Sequence, residues 1–318
     1  MSDKNATEVV LADREGIARA ARILKSEGLV VVPTETVYGL TARADSTEAV
    51  AKIYTVKGRP DFNPLIVHVR SLEAASELAL FDDRAKEVAR RYWPGPLTLV
   101  LPLREDAPVA KAVTAGLPTI ALRVPAHSVM QALLTETGMP LAAPSANRSE
   151  HISPTRPEHV ITSLGDACPI ILDGGPSEAG LESTIIALRP GGGWTLLRPG
   201  PIFKETLGGV LGQQELEAPA AIEAPGQSRR HYSPGKPMHL YRRNPYPGDF
   251  MIGFGDITGD VNLSPSGDKV EAAARLYECL HLAEAAPNPG ISVASIHPHG
   301  MGRAINDRLE RAAAPAAG

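Results

Sequence analysis

Five stretches place polar or charged side chains where little in the local sequence requires them. In 57-KGRPDFNPLIVHV-69, Lys57 and Arg59 flank a glycine, Asn63 precedes a proline, and His68 stands inside an apolar run. Lys and Arg two apart on irregular backbone can converge on one anion, with the Arg fork supplying bidentate geometry. The plainer reading is a solvated helix end whose charges oppose the helix dipole. His68 reads either as a hydrogen-bonded core histidine or as a group turned to a ligand. In 119-TIALRVP-125, Arg123 interrupts an apolar strand, so a structural carboxylate or an anionic ligand must meet it. Thr34 in 33-PTETVYGL-40, Ser145, Asn147 and Ser153 in 144-PSANRSEHISPT-155, and Ser183 in 181-LESTII-186 add neutral donors. Each alone could be a turn with a hydroxyl cap. As a set, cations and neutral donors suit the holding of anions.

The elements that must position these residues follow from hydrophobic spacing. Ile17, Ala20, Ala21 and Leu24 have helical period and stop at Gly28; Leu29 to Val32 is a short β-branched strand closed by Pro33. Asp45 with Glu48 resembles a capping box for a helix carrying Val50, Ile53 and Tyr54, and Leu65 to Val69 is a strand. The alternation continues with helices near 71–79, 82–92, 127–137, 156–164 and 201–211, and strands near 97–101, 119–124, 140–143, 169–172 and 183–188. Helices interleaved with short apolar strands predict a layered α/β domain. Several of the polar stretches follow strand ends, where open α/β sheets place ligands.

At 318 residues the chain is long enough for about two domains of roughly 150 residues each, and its 43% hydrophobic content allows each a core. The stretch 212–237, including 225-PGQSRRHYSPGKP-237, holds few large apolar residues and reads as a linker. Beyond it, strands near 238–241, 250–254 and 291–296 alternate with helices near 268–285 and 301–312, a smaller open α/β unit. The predicted organisation is 1–211, 212–237 and 238–318.

Absences narrow the chemistry. A net charge of −4 excludes a surface that is basic all over, so any polyanion site is local. Cys168 and Cys279 are too far apart for a thiolate metal cage and read as buried thiols; His297 and His299 lack further ligands. Gly235-Lys236 is followed by Pro237 and is no P-loop; Gly253, Gly255 and Gly259 miss the dinucleotide spacing; no G-x-S-x-G elbow occurs. No leader-like or membrane-length apolar run is present, which makes the cytoplasm the expected location.

Taken together, PTETVYGL, KGRPDFNPLIVHV, ALRVP, PSAN and RRHYSPGKP resemble the YrdC-like family, whose hallmark K-x-R and S-x-N set is here Lys57, Arg59, Ser145 and Asn147. The chain is similar to the long branch of that family, the threonylcarbamoyl-AMP synthases, and 300-GMGRAINDRLERAA-313 resembles the end of their second domain. The resemblance implies a YrdC-like twisted mixed sheet with a basic concave cavity, plus a smaller C-terminal open α/β, Rossmann-like domain. It implies a reaction in which L-threonine, bicarbonate and ATP give threonylcarbamoyl-AMP and pyrophosphate, for modification of tRNA adenosine next to the anticodon by a separate transferase complex. Mg²⁺ is expected with ATP, with no dedicated protein metal site and no organic cofactor.

By the same resemblance Lys57 and Arg59 are the catalytic cations. Arg59, Asn63, Thr119, Ser145, Asn147, Ser153, Arg198, His231 and Tyr232 would hold ATP, and Thr34, His68, Arg123 and Ser183 would hold L-threonine. The proline-rich stretch would run over the site as a lid, with Gln227 standing where a bulky apolar residue is expected. The second domain would anchor that lid. The competing readings are a module that binds double-stranded RNA or tRNA without adenylation, with tRNA contact by the enzyme itself at most weak, and the carbamoyl-adenylating domain of hydrogenase maturation proteins. The latter family's zinc-finger cysteine pairs are missing here.

Overall fold

The computed structural model describes residues 7–168, 170–212, 216–217 and 222–315. Pro169 of the predicted strand near 169–172, residues 213–215 and 218–221 of the predicted linker, and the outermost residues 1–6 and 316–318 lie outside the described residues.

Ten strands form one mixed sheet: β1 (Glu8–Leu11), β2 (Val30–Val32), β3 (Gly39–Arg43), β4 (Ile66–His68), β5 (Leu97–Pro102), β6 (Thr119–Arg123), β7 (Leu141–Ala142), β8 (Ile170–Asp173), β9 (Thr184–Leu188) and β10 (Trp194–Arg198). Their spatial order is β1-β8-β2-β3-β7-β4-β6-β5-β9-β10. The helices of this part are α1 (Arg14–Lys25), α2 (Thr47–Lys57), α3 (Leu72–Ser76), α4 (Asp83–Tyr92), α5 (Ser128–Thr137), α6 (Pro157–Leu164) and α7 (Lys204–Leu211). The period of two along β2 explains the layering. Val31 packs with Ile53 of α2, Val88 of α4 and Leu207 of α7 in one core. Val30 and Val32 face Leu24 of α1 and Met130 and Leu133 of α5 in another.

A second sheet, all parallel, has the order β11 (Met238–Arg242), β14 (Ile291–Ala294), β12 (Phe250–Gly253), β13 (Val261–Asn262). It is flanked by α8 (Lys269–Ala285) and α9 (Met301–Ala313). This core does not close on itself. Leu276, Tyr277 and Leu280 of α8 cluster with Val37, Ile152 and Leu181 from loops of the first sheet and with Tyr232 from the intervening segment. The two units therefore share buried apolar surface.

The alternation predicted from spacing is present, with differences that have local causes. The N-cap of α2 is Ser46, whose side chain accepts from Ala49 N at 3.1 Å, while Asp45 is drawn to Arg43 at 2.7 Å. Strands β1, β3, β10 and β13 were not predicted. β1 exposes Val9 and Leu11 on the sheet edge, and β3 begins at a glycine and ends at an arginine, so neither reads as a buried β-branched run.

Gly180 marks the contact between the units. Its φ is +65°, and a Cβ there would lie 2.5 Å from the Ala274 Cα on α8. Gly180→Ala is expected to lower stability by about 2–3 kcal/mol through backbone strain and overpacking. The check is denaturant unfolding together with limited proteolysis, which should show α8 released before the first sheet; an unaltered midpoint would refute the tight docking.

Candidate active site

The site begins where α2 stops. Gly58, at φ 58°, ends the helix in the left-handed region, and Lys57 and Arg59 leave it in different directions. Lys57 Nζ donates to the carbonyls of Ser145, at 2.6 Å, and Asn147. Arg59 donates to the Asn63 carbonyl at 3.1 Å, to Asn63 Oδ1 at 2.6 Å and to the Pro64 carbonyl at 2.7 Å. The two cations do not share a partner, as their spacing had suggested they would. Each is solvated by neutral oxygens and neither meets a carboxylate. Burial, and then the charge of Arg59, drives the Lys57 ammonium well below its ordinary range; burial brings Arg59 down to about 10.

Arg59 opens onto a cavity that is also lined by Arg123, Arg198, Glu182, His68 and His231. Arg123, on β6, forms a 2.6 Å ion pair with Glu35, donates to Thr36 Oγ1 at 2.9 Å and to the Gly95 carbonyl at 3.2 Å. Glu35 is thus the structural carboxylate that a buried arginine required. Burial pushes its pKa up, but Arg123 outweighs this and holds it below the usual value. Thr34 lines the same wall, with its hydroxyl 2.8 Å from Thr36 Oγ1 and donating to the Val37 carbonyl at 2.7 Å. His68, paired in register with Arg123, is held near pKa 3 by burial and then by that guanidinium, so it is neutral, with Nδ1 unpartnered.

On the opposite wall, Arg198 donates from Nε to the Ser183 carbonyl at 3.1 Å and from a terminal nitrogen to Ser183 Oγ at 3.2 Å. Ser183 Oγ also lies 2.7 Å from Thr98 Oγ1. The roof is the segment 224–234. Arg198 reaches the Pro225 carbonyl at 3.4 Å, and a Cβ on Gly226 would fall 2.8 Å from Arg198 Cδ and 2.9 Å from the Tyr232 hydroxyl. Only glycine fits between the roof and these side chains. Gln227, where an apolar residue was expected, accepts from Glu223 N at 2.7 Å and Ala224 N at 2.9 Å and so closes the turn that presents Gly226. His231, brought by burial to about 3, and Tyr232, at φ 60°, complete the roof.

Of the residues singled out in the sequence, Thr34, Arg59, His68, Arg123, Ser145, Ser183, Arg198, His231 and Tyr232 line the cavity. Lys57, Asn63, Asn147 and Ser153 stand one layer behind. Asn63 orients Arg59, the Asn147 carbonyl receives Lys57, and Ser153 Oγ donates to Glu182 at 2.5 Å. Thr119 opens β6, four positions before Arg123, and lies outside the cavity lining.

Sequence reasoning missed Glu35, Glu182 and, of the residues that hold Glu182, Tyr277 and Arg308. Glu182 accepts from Ser153, from Tyr277 Oη at 2.8 Å and from Arg308 Nε at 2.9 Å. Tyr277 and Arg308 belong to the second unit. Burial pushes the carboxyl up, but Arg308 and then Arg198 overcome it and hold Glu182 at about 2. The available signal was a Glu one residue before Ser183 in an apolar stretch, the same anomaly that exposed Arg123.

An α/β cavity with three arginines, two neutral histidines and one carboxylate paired to Arg308 is the kind of site that suits small anionic molecules. Comparison with known proteins sharpens this. The Sua5/YciO/YrdC family model, described as "Telomere recombination", matches residues 22–200, and the model "Threonylcarbamoyl-AMP synthase, C-terminal domain" matches 202–314. The threonylcarbamoyl-AMP synthase of Bacillus subtilis is 38% identical over 93% of this chain and 92% of its own length. That of Pyrococcus abyssi is 37% identical over 92% of each. The crystal structure of P. abyssi Sua5 complexed with L-threonine superposes with a TM-score of 0.88, at 34% identity, covering 96% of this chain and 98% of that one. The chain belongs to the threonylcarbamoyl-AMP synthase family, in its two-domain Sua5 form.

The Glu182 carboxylate sets a testable pH dependence. Its folded pKa lies below the ordinary 4.5, so its stabilising contribution is complete above that pH and disappears as pH falls toward 2. Glu182→Gln, which breaks the buried ion pair and leaves Arg308 with Asp307 alone, should cost about 3–5 kcal/mol at pH 7. The gap between wild type and variant, measured by denaturant unfolding, should narrow steadily from pH 5 to pH 2.5; a constant gap would refute the assignment.

Proposed function

We propose that the chain forms L-threonylcarbamoyladenylate and pyrophosphate from L-threonine, bicarbonate and ATP, supplying the intermediate for threonylcarbamoyl modification of tRNA adenosine next to the anticodon. The observation that carries this is the cavity itself: Arg59, Arg123 and Arg198 converge beneath a closed roof in a family whose P. abyssi member is solved with L-threonine. Residues 1–211 act as the catalytic domain, 212–237 as lid and 238–318 as the unit that holds the lid. The site is a pocket covered by Pro225, Gly226, His231 and Tyr232, not an open groove that could seat a nucleic-acid duplex, which disfavours the RNA-binding alternative.

The chemistry joins anions. CO₂ derived from bicarbonate is taken up by the threonine amine as a carbamate. A carbamate oxygen then attacks the α-phosphorus, and the bond to pyrophosphate breaks. Catalysis rests on positioning and on fixed positive charge. Arg123 takes the threonine carboxylate on the donors left by Glu35, and Thr34, Ser183 and neutral His68 hold the amine and hydroxyl. Because His68 is neutral, it can accept from the amine without repelling it. Arg59 and Arg198 face the phosphates, and Lys57 holds the 145–147 loop at the nucleotide with its charge in reserve. Asn63, Ser145, Asn147, Ser153, Thr119, His231 and Tyr232 complete the ATP side. The lid excludes water from the carbamate and the mixed anhydride, both of which hydrolyse.

Mg²⁺ enters with ATP. Glu35 and Glu182 are already paired with arginines, and among the described residues no group of three or more His, Cys, Asp or Glu could hold a metal ion. The phosphates of the nucleotide would supply its protein-independent ligands. The reaction takes place in the cytoplasm, and the product passes to a separate tRNA threonylcarbamoyl-transferase complex.

Pyrophosphate release in bicarbonate buffer should require L-threonine and be weak with L-serine, and the threonylcarbamoyl-AMP mass should accumulate. Folded protein that binds ATP yet stays silent would argue for the RNA-binding reading. Arg59→Ala should slow release by about 10²–10³-fold with the fold intact. Arg123→Gln should raise the KM for threonine at least tenfold while leaving ATP affinity near wild type, as calorimetry with each substrate alone can check.

A further inference from the structure

We infer that Arg308 and Arg311 of α9 are positioning residues of the active site, which fasten the lid over its ATP side while the threonine side stands without them. The inference rests on the substrate placement proposed above. α9 grips the lid at three points. Arg311 donates to the Ser228 carbonyl at 2.7 Å, the Arg311 carbonyl accepts from His231 N at 3.2 Å, and the Arg308 guanidinium lies 5.2 Å from the centre of the Tyr232 ring. Asp307 ties the two arginines together, accepting from Arg308 at 2.7 Å and from Arg311 at 3.0 Å.

Two features argue that the grip serves the site and not only the fold. Tyr232 is held at φ 60°, which a bulky residue adopts only when its surroundings impose it. The Tyr232 ring is backed by a fully buried Arg308, which besides Asp307 also pairs with Glu182, itself part of the cavity wall. Arg308 therefore fixes a roof residue and a wall residue at once. By contrast, Thr34, His68, Arg123 and Ser183 have no hydrogen bond to α9 among the described residues. The lid carries its own reporter, since Arg229 is exposed and adjoins Arg230 between two of the grip points.

The test is trypsin cleavage of the full chain after Arg229 and Arg230, mapped by mass, with substrate affinities measured in parallel. Arg308→Met and Arg311→Met should each raise cleavage there at least tenfold, with cleavage elsewhere unchanged. The KM for ATP should rise at least tenfold while threonine affinity stays within twofold, and Arg308→Lys should recover part of the loss. A lid as protected as in wild type, or equal loss of threonine and ATP affinity, would overturn the proposal. Should Arg308→Met fail to fold, Arg311→Met carries the test, because that side chain is 21% exposed and leaves Glu182 paired. Lid cleavage is read without substrate. A wild-type chain that released no pyrophosphate with threonine would overturn the functional reading and the ATP half of this one, while the cleavage rates still decide the fastening.

Discussion

The structure depends on how it keeps positive charge under cover without cancelling it. A buried cation is costly unless hydrogen-bonded, and the usual remedy is a carboxylate, which stabilises the charge and neutralises it. Lys57, Arg59 and Arg198 are treated differently: their donors go to the backbone carbonyls of Ser145, Asn147, Asn63, Pro64, Ser183 and Pro225 and to the side chains of Asn63 and Ser183. Dipoles replace water around these groups, and no carboxylate hydrogen-bonds to them among the described residues. The polypeptide geometry follows from this need. Gly58 turns α2 so that Lys57 and Arg59 face separate carbonyl sets, the Asn63-Pro64 turn wraps one guanidinium, and β9 and the roof enclose the other.

The two other buried arginines near the cavity are matched by carboxylates, and this marks a division of labour. Arg123 with Glu35 is a neutral pair that retains spare, directional donors, a suitable seat for a zwitterion. Arg308 with Glu182 is also matched, and its value lies in location: it crosses from α9 to the loop that leads into β9. The carboxylate that a wall residue needs and the cation that a roof residue needs are the same pair, so the second unit is bound to the first by polar bonds as well as by the shared core around Tyr277.

What was legible in the sequence was local. The β-branched Val30 to Val32, the helical period before Gly28 and the Arg in an otherwise apolar β6 each announce themselves within a few residues, and such signals were enough for the layered α/β fold; half of the cavity lining was singled out, with Arg198, His231 and Tyr232 reached only through the family resemblance. Arg123 implied a partner, either a structural carboxylate or an anionic ligand, and the structure supplies Glu35. What escaped depends on long-range contact. Glu182 and Arg308 are 126 positions apart, and Glu182 and Tyr277 are 95 apart, so no spacing rule joins them. Edge strand β1 escaped because its exposed apolar residues lack the alternation of a half-buried strand. The separate seats of Lys57 and Arg59 escaped because a one-residue gap says nothing of a left-handed glycine between them.

The order of elements along the chain adds a consequence for biogenesis. α9 follows every other described element, so on the ribosome the cationic cavity and its roof emerge before the helix that fastens them. Until α9 docks, Glu182 and Tyr232 lack their shared partner, and the nascent chain presents uncompensated charge at a half-built wall. Any ligand that binds across the finished roof draws the docking equilibrium forward by mass action.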